Sequence, residues 1–280
     1  MAKDPFYQEF GRDVIRRDSA ELGMHLHAWN TPPEFALTAD DFRCQPYLTE
    51  YPEQVMNQKI DFLTGLLEDT FQTRIVSHRG GRWAFDVRYA SMLIKRGFHV
   101  DCSVTPHVSW KAHLGAPSGE GGPDFKAFPE DAYFVDVQDV SKPGSSSLLE
   151  VPVTVLPGTQ APHTRLFERL RPSNPLRRAV DLVFPAFHIL SPRRGRLKRM
   201  LDIVSRCAVQ SRHHVEFATH SSQLMPGGSP AFPRGRDVER VYYHLERLFV
   251  FSRAHFVGAA LGEFYEIVRT GQCNQIRKES

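Results

Sequence analysis

The chain has 280 residues, 41% hydrophobic and 24% charged, proportions near the globular average that exclude a disordered chain, a collagen and a coiled-coil rod. Thirty-five Lys and Arg against 32 Asp and Glu leave +3, too little to nominate nucleic acid as a partner. Cysteines at 44, 102, 207 and 273 contain no CxxC pair, so neither a disulfide framework nor a cysteine zinc ribbon is indicated, and a reducing compartment fits.

At about 150 residues per domain the length allows one domain or two; the simpler reading is a single domain over 1–280. No apolar run approaches the roughly 18 residues of a membrane helix, and the opening MAKDPFYQEFGRD is too polar for a signal peptide. The expectation is a cytoplasmic protein with no transmembrane segment. No internal repeat is visible, which argues against solenoids and propellers.

In chain order, Phe10, Val14 and Ile15 mark a first amphipathic helix. GMHLHAW at 23–29 follows as a strand, and Thr38-Ala39-Asp40-Asp41 reads as a helix cap. Met56, Ile60, Leu63 and Leu67 give a helical period, then RIVSHR at 74–79 a second strand. Phe85, Tyr89 and Met92 predict a helix closed by Lys95, Arg96 and Gly97, before a strand in HVDCSV at 99–104. That is a βαβ unit. LLEVPVT at 148–154 and HVEFATH at 214–220 predict further strands, and Val238 to Phe249 a late helix packing on the sheet. Two stretches interrupt the rhythm as inserted loops, the Gly/Pro/Asp-rich 111–144 and the basic 157–212 with Arg193, Arg194, Arg196, Lys198 and Arg199. The basic cluster reads as a solvated helix face or as a patch for anionic glycan or lipid headgroups. Alternating strands and helices imply an α/β fold with a largely parallel sheet, either open or closed into a barrel.

Candidate chemistry gathers at strand ends, where active sites of parallel α/β folds form. His25 and His27 would share one strand face, about 7 Å apart along it, and neutral imidazoles suit Zn²⁺. SHRGGRW at 77–83 ends a strand with Arg79, and Gly80 and Gly81 then permit close approach of backbone to a ligand. Asp101 and His220 end two further strands, and a histidine near a carboxylate or arginine can act as a general acid near neutrality. An HxH strand with later histidines at 78 and 220 is also compatible with an amidohydrolase-type barrel, although no bridging lysine stands in a clear strand position.

Taken together, ELGMHLHAW, SHRGGRW, VDCSVTP, LLEVPVT and FATHSSQLMPGG resemble the polysaccharide deacetylase (NodB-homology, carbohydrate esterase) family, specifically its WalW-like branch, over roughly residues 13–270. The resemblance implies a distorted (β/α) barrel. It also implies a divalent metal, zinc above all, and hydrolysis of N-acetyl or O-acetyl groups on a sugar of a bacterial surface polysaccharide such as lipopolysaccharide, or its precursor. On it His25 and His27 are the metal histidines, Arg79, Asp101 and His220 the catalytic residues, and Gly80, Gly81 and Trp83 the substrate contacts. The family's first motif, an Asp-Asp strand supplying the base and third metal ligand, has no counterpart before His25. The alternative is therefore a noncatalytic or truncated homologue that binds a glycan or a partner protein. A barrel lacking its first strand would expose unpaired edges and favour self-association.

Overall fold

A computed structural model describes residues 2–158, 186–192 and 197–271. They fall into two compact units, the first drawn from Met1–Val104, Ser109–Pro152 and Gly258–Ser280, the second from Thr105–Val108 and Val153–Val257.

The first unit opens with α1, Pro5–Arg16, where Asp4 caps the helix by accepting from the Tyr7 N–H at 3.0 Å and Pro5 occupies the first turn. Val14 of the expected apolar face is buried, but Phe10 stays 59% exposed. β1 is Met24–Leu26. Asp40 then caps the short helix α2, Asp41–Cys44, through the Arg43 N–H, as the capping reading expects. The long helix α3, Glu53–Phe71, buries Met56, Ile60 and Leu67 at helical spacing. β2 is Ser77–Gly80. Asp86 caps α4, Val87–Lys95, and Gly97 follows its end at φ +73°, the left-handed position a C′ glycine takes without steric cost. β3, Val100–Asp101, completes the expected βαβ unit. β4, Tyr133–Phe134, and β5, Leu149–Glu150, close the series.

These five strands form one sheet in the order β1-β2-β3-β5-β4, parallel except for the β4–β5 pair. Among the described residues β1 and β4 are its edges and no strand joins them, so the sheet is open where a closed barrel was expected. The ladders are only two or three residue pairs long, and the antiparallel β4 ends the parallel run. The stretch 111–144 is thus more than an inserted loop, because it contributes this edge strand.

Register decides what faces what. Met24, His78, Asp101, Glu150 and Tyr133 pair across neighbouring strands in one row, and all five are buried. His25 and Arg79 make the next row on the opposite face. The polar row lies on the same face as Met24 and Leu26, which pack with Met56, Ile60, Tyr89 and Leu93 in the main core.

In the second unit β6, Val155–Pro157, pairs antiparallel with β7, Phe187–Ile189. The expected strand at 214–220 is extended but forms no ladder: Thr154 N–H donates to the Glu216 carbonyl and Ala218 N–H to the Leu190 carbonyl, two different segments. The late helix, Gly235–Ser252, buries Val238, Val241 and Leu248. It packs on the helix Leu197–Val209 and leaves Tyr242 and Phe249 about half exposed. Residues 159–185 and 193–196, with three arginines of the basic cluster, lie outside the described residues, as does Cys273. Among the described residues no helix is long and apolar enough to cross a membrane.

Candidate functional site

The strand pair β1–β2 builds the site. Pairing His25 with Arg79 sets the imidazole beside the next strand's backbone, and His25 Nδ1 lies 2.8 Å from the Arg79 carbonyl oxygen. A carbonyl can only accept, so Nδ1 carries the proton and donates, and Nε2 of the neutral ring keeps its lone pair. Desolvation, and after it the Arg79 charge, push the His25 pKa down from 6.5 to about 3; the bond to the Arg79 carbonyl opposes that shift only in part. The ring is neutral at physiological pH. His27 sits edge-on to it, with ring centroids 4.6 Å apart, and itself packs 4.5 Å from Trp29.

Two glycines make this closeness possible. A Cβ on Gly81 would stand 2.3 Å from the Leu26 carbonyl oxygen and 2.7 Å from His27 Nδ1, and one on Gly80 would stand 2.1 Å from the Ala84 carbonyl oxygen. The chain then does something ordinary side chains resist: Arg82 and Trp83, both non-glycine, take φ of +56° and +66°. Arg82 anchors the turn. Its guanidinium donates to the carbonyls of Gln45 and, at 3.0 Å, Leu114, and lies 4.2 Å from the Tyr47 ring centroid. The turn delivers Trp83 beneath the Arg79 guanidinium, 5.6 Å from its ring, and stacks it on Trp110 at 6.3 Å and 19°.

From the other side Lys59 secures the loop after His27. This lysine, 2% exposed, donates to the carbonyls of Thr31 and Pro33, and Thr31 Oγ1 donates to the His27 carbonyl at 2.8 Å. Burial lowers the Lys59 pKa, an effect the nearby Asp41 and Glu34 charges oppose.

The structure therefore brings together His25, His27, Arg79, Gly80, Gly81 and Trp83. Asp101 lies behind them. It is fully buried, and its described partners are His78, whose Nδ1 is 2.5 Å away, and the Ser103 N–H and hydroxyl. His78 Nε2 in turn meets the Tyr89 hydroxyl at 2.7 Å, and burial, with Asp101 next, raises the Tyr89 pKa well above its ordinary value. The histidine that Asp101 holds is thus His78, where the sequence suggested His220. His220 belongs to the second unit, exposed and extended, just before the short helix Ser221–Leu224, with its N–H donating to Gln223 at 3.0 Å.

Sequence reasoning missed Ser103, Tyr89, Arg82 and Lys59. Period-2 alternation was a usable signal for Ser103, which two residues after Asp101 must share its face, but a lone D-x-S carries little weight by itself.

A ligating histidine typically gives its other N–H to a carbonyl or carboxylate, and His25 does so. With His27 beside it the chemistry fits two ligands of a divalent ion. Among the described residues no third His, Cys, Asp or Glu joins them in a cluster.

A scan against protein-family models finds no match, and a search of curated proteins finds none either. Among solved structures, one from Mycobacterium smegmatis that bears the name "putative polysaccharide deacetylase" is similar at 14% identity and a TM-score of 0.47, over 95% of this chain and 68% of that one.

Proposed function

We propose that the chain is a deacetylase-type carbohydrate hydrolase that removes N-acetyl or O-acetyl groups from a sugar of a bacterial surface polysaccharide, with a divalent cation, zinc by preference, held by His25 and His27. The observation that carries this reading is the fixed tautomer of His25: the Nδ1–H is committed to the Arg79 carbonyl, Nε2 keeps its lone pair for a ligand, and a second imidazole stands beside it.

When bound, the ion would polarise the acetyl carbonyl and acidify a water. The protein's own residues do the rest. His25 stays neutral because desolvation by the groups around it and the Arg79 charge disfavour its cation. Arg79, whose charge is felt at His25, is assigned the offsetting of negative charge that builds on the acetyl oxygen. The close approach expected at Gly80 and Gly81 is made to the protein itself, since both glycines are buried against Ala84, Leu26 and His27; Trp83 is left to offer the substrate an apolar face. Asp101 supports the site from the core.

The test is metal analysis after dialysis on wild type, His25→Ala and His27→Ala, together with acetate release from N-acetylated and O-acetylated oligosaccharides. Bound zinc in the wild type alone is expected. Equal zinc in all three proteins would overturn the ligand assignment. A second reading, a glycan-binding protein without catalysis, is favoured by the missing third ligand among the described residues; sugar binding without acetate release would establish it.

A further inference from the structure

The hydrogen bonds around residues 79 and 80 join into one chain. The Arg79 carbonyl that accepts from His25 Nδ1 and the Gly80 N–H belong to the same peptide group. That N–H donates to Ser103 Oγ at 2.8 Å, and the Ser103 hydroxyl, having one proton, passes it to Asp101 Oδ1 at 2.9 Å. Asp101 also takes the His78 Nδ1–H at 2.5 Å and the Ser103 N–H at 3.0 Å, three donors on one carboxylate. Every member from Gly80 inward is buried: Ser103 and Asp101 have no exposed surface and His78 1%.

We infer that Asp101 is a positioning residue for His25, acting through Ser103 and the 79–80 peptide to hold the exposed imidazole in its Nδ1–H tautomer. The physical basis is hydrogen-bond cooperativity. Negative charge on Asp101 draws the Ser103 proton, which makes Oγ a better acceptor for the Gly80 N–H. Polarising that amide raises electron density on the Arg79 carbonyl oxygen, which strengthens its bond from His25. No proton needs to move along the chain. Alternation separates the two ends, since His25 and Asp101 lie on opposite faces of the sheet; the in-plane peptide connects them. The consequence for ligand affinity rests on the metal reading above, whereas the tautomer control does not.

The decisive measurement is therefore made without metal. In the full-length, metal-free protein at pH 7.5, imidazole ¹⁵N shifts of His25, assigned with His25→Gln, give the ratio of its two tautomers. Ser103→Ala should move that ratio measurably toward Nε2–H, by up to about twofold, the scale of a 10–30% change in one net hydrogen bond. Asp101→Asn, which removes the charge at the far end and leaves Ser103 in place, should move it in the same direction and carries the test if Ser103→Ala does not fold. Cys102→Ala is the control for general loosening, because it lies between Asp101 and Ser103 and its buried thiol donates to the His78 backbone carbonyl, not to the hydroxyl, amide or carboxylate that carry the relay; it should leave the ratio unchanged. An unaltered ratio in folded Ser103→Ala, or an equal shift in Cys102→Ala, overturns the inference. Zinc affinity is measured separately and should fall about tenfold in Ser103→Ala. A tautomer shift with zinc binding absent in every protein, wild type included, would support the inference and sink the metal reading.

Discussion

Position 82 separates a backbone effect from a side-chain effect. Arg82 sits at φ +56° and ψ +26°, where an ordinary side chain costs about 1–2 kcal/mol relative to a right-handed conformation and glycine costs almost nothing. Its guanidinium offsets that cost through two carbonyls and the Tyr47 ring. Arg82→Ala and Arg82→Gly lose the same guanidinium bonds, so their difference isolates the backbone. Arg82→Gly should be the more stable of the two by about 1 kcal/mol, net of glycine's extra entropy in the unfolded chain. This reverses the order expected at a right-handed position, where alanine wins. The three tryptophans, Trp29, Trp83 and Trp110, all lie in the first unit, so urea melts followed by fluorescence report that unit. Equal m-values with a higher midpoint for Arg82→Gly are expected. An alanine variant as stable as the glycine one would show that the left-handed turn is not held at Arg82.

Gly81→Ala should push His27 out of place, because the new Cβ would stand 2.7 Å from its Nδ1 and 2.3 Å from fixed backbone at Leu26; a loss of about 1–3 kcal/mol and weaker zinc binding are expected, read by melts and titration. The lowered pKa of His25 gives a pH effect with a definite sign. Because its folded value of about 3 lies below the ordinary 6.5, unfolding takes up a proton between them; the stability from a neutral His25 is present above pH 6.5 and lost as pH falls toward 3. His25→Gln should flatten the urea midpoint against pH over that window, and an unchanged slope would show that His25 is not the group responsible. Lys59→Met keeps the aliphatic stem but leaves the Thr31 and Pro33 carbonyls without their donor; about 1–3 kcal/mol should be lost, with hydrogen exchange rising in 28–33 before the rest of the sheet.

Periodicity made the scaffold legible. Met56, Ile60 and Leu67 marked α3, and Lys95, Arg96 and Gly97 marked the end of α4, because local chemistry alone determines them. The open sheet was not legible. Whether parallel strands close a ring depends on ladder length and on which strand reaches the edge, and β4 hides in a Gly/Pro-rich stretch only two residues long as a strand. The Tyr242 and Phe249 positions of the late helix matched the core period yet remain exposed, since period marks a face but not what covers it. In the site, alternation correctly put His25 on the face opposite Met24 and Leu26. Strand-end position alone suggested that Asp101 faces a rim, whereas register places it in a row with His78 and Glu150 inside the core. A same-face reading of His78 and Asp101 needed the pairing of β2 with β3, which no single segment specifies.

Four consecutive residues, Gly80 to Trp83, concentrate the conflict between sequence and comfort. Two of them have no room for a side chain because backbone or an imidazole already occupies the space, and the next two carry side chains at φ values that disfavour them. Folding stability alone gives no reason to keep such a turn: glycine at 82 and 83 would relax the strain, and a longer loop would relax the crowding. Its retention follows if the turn must do two things at once, approach His27 closely and present Trp83 under Arg79. Local violations of backbone preference that the surroundings over-determine are characteristic of functional segments. Arg82 supplies that over-determination by tying the turn to the Gln45 and Leu114 loops. The described residues of the basic cluster, Lys198 and Arg199, show no comparable conflict and lie in an ordinary helix. That strain and its support coincide with the site proposed at the β1–β2 end, around His25 and Trp83.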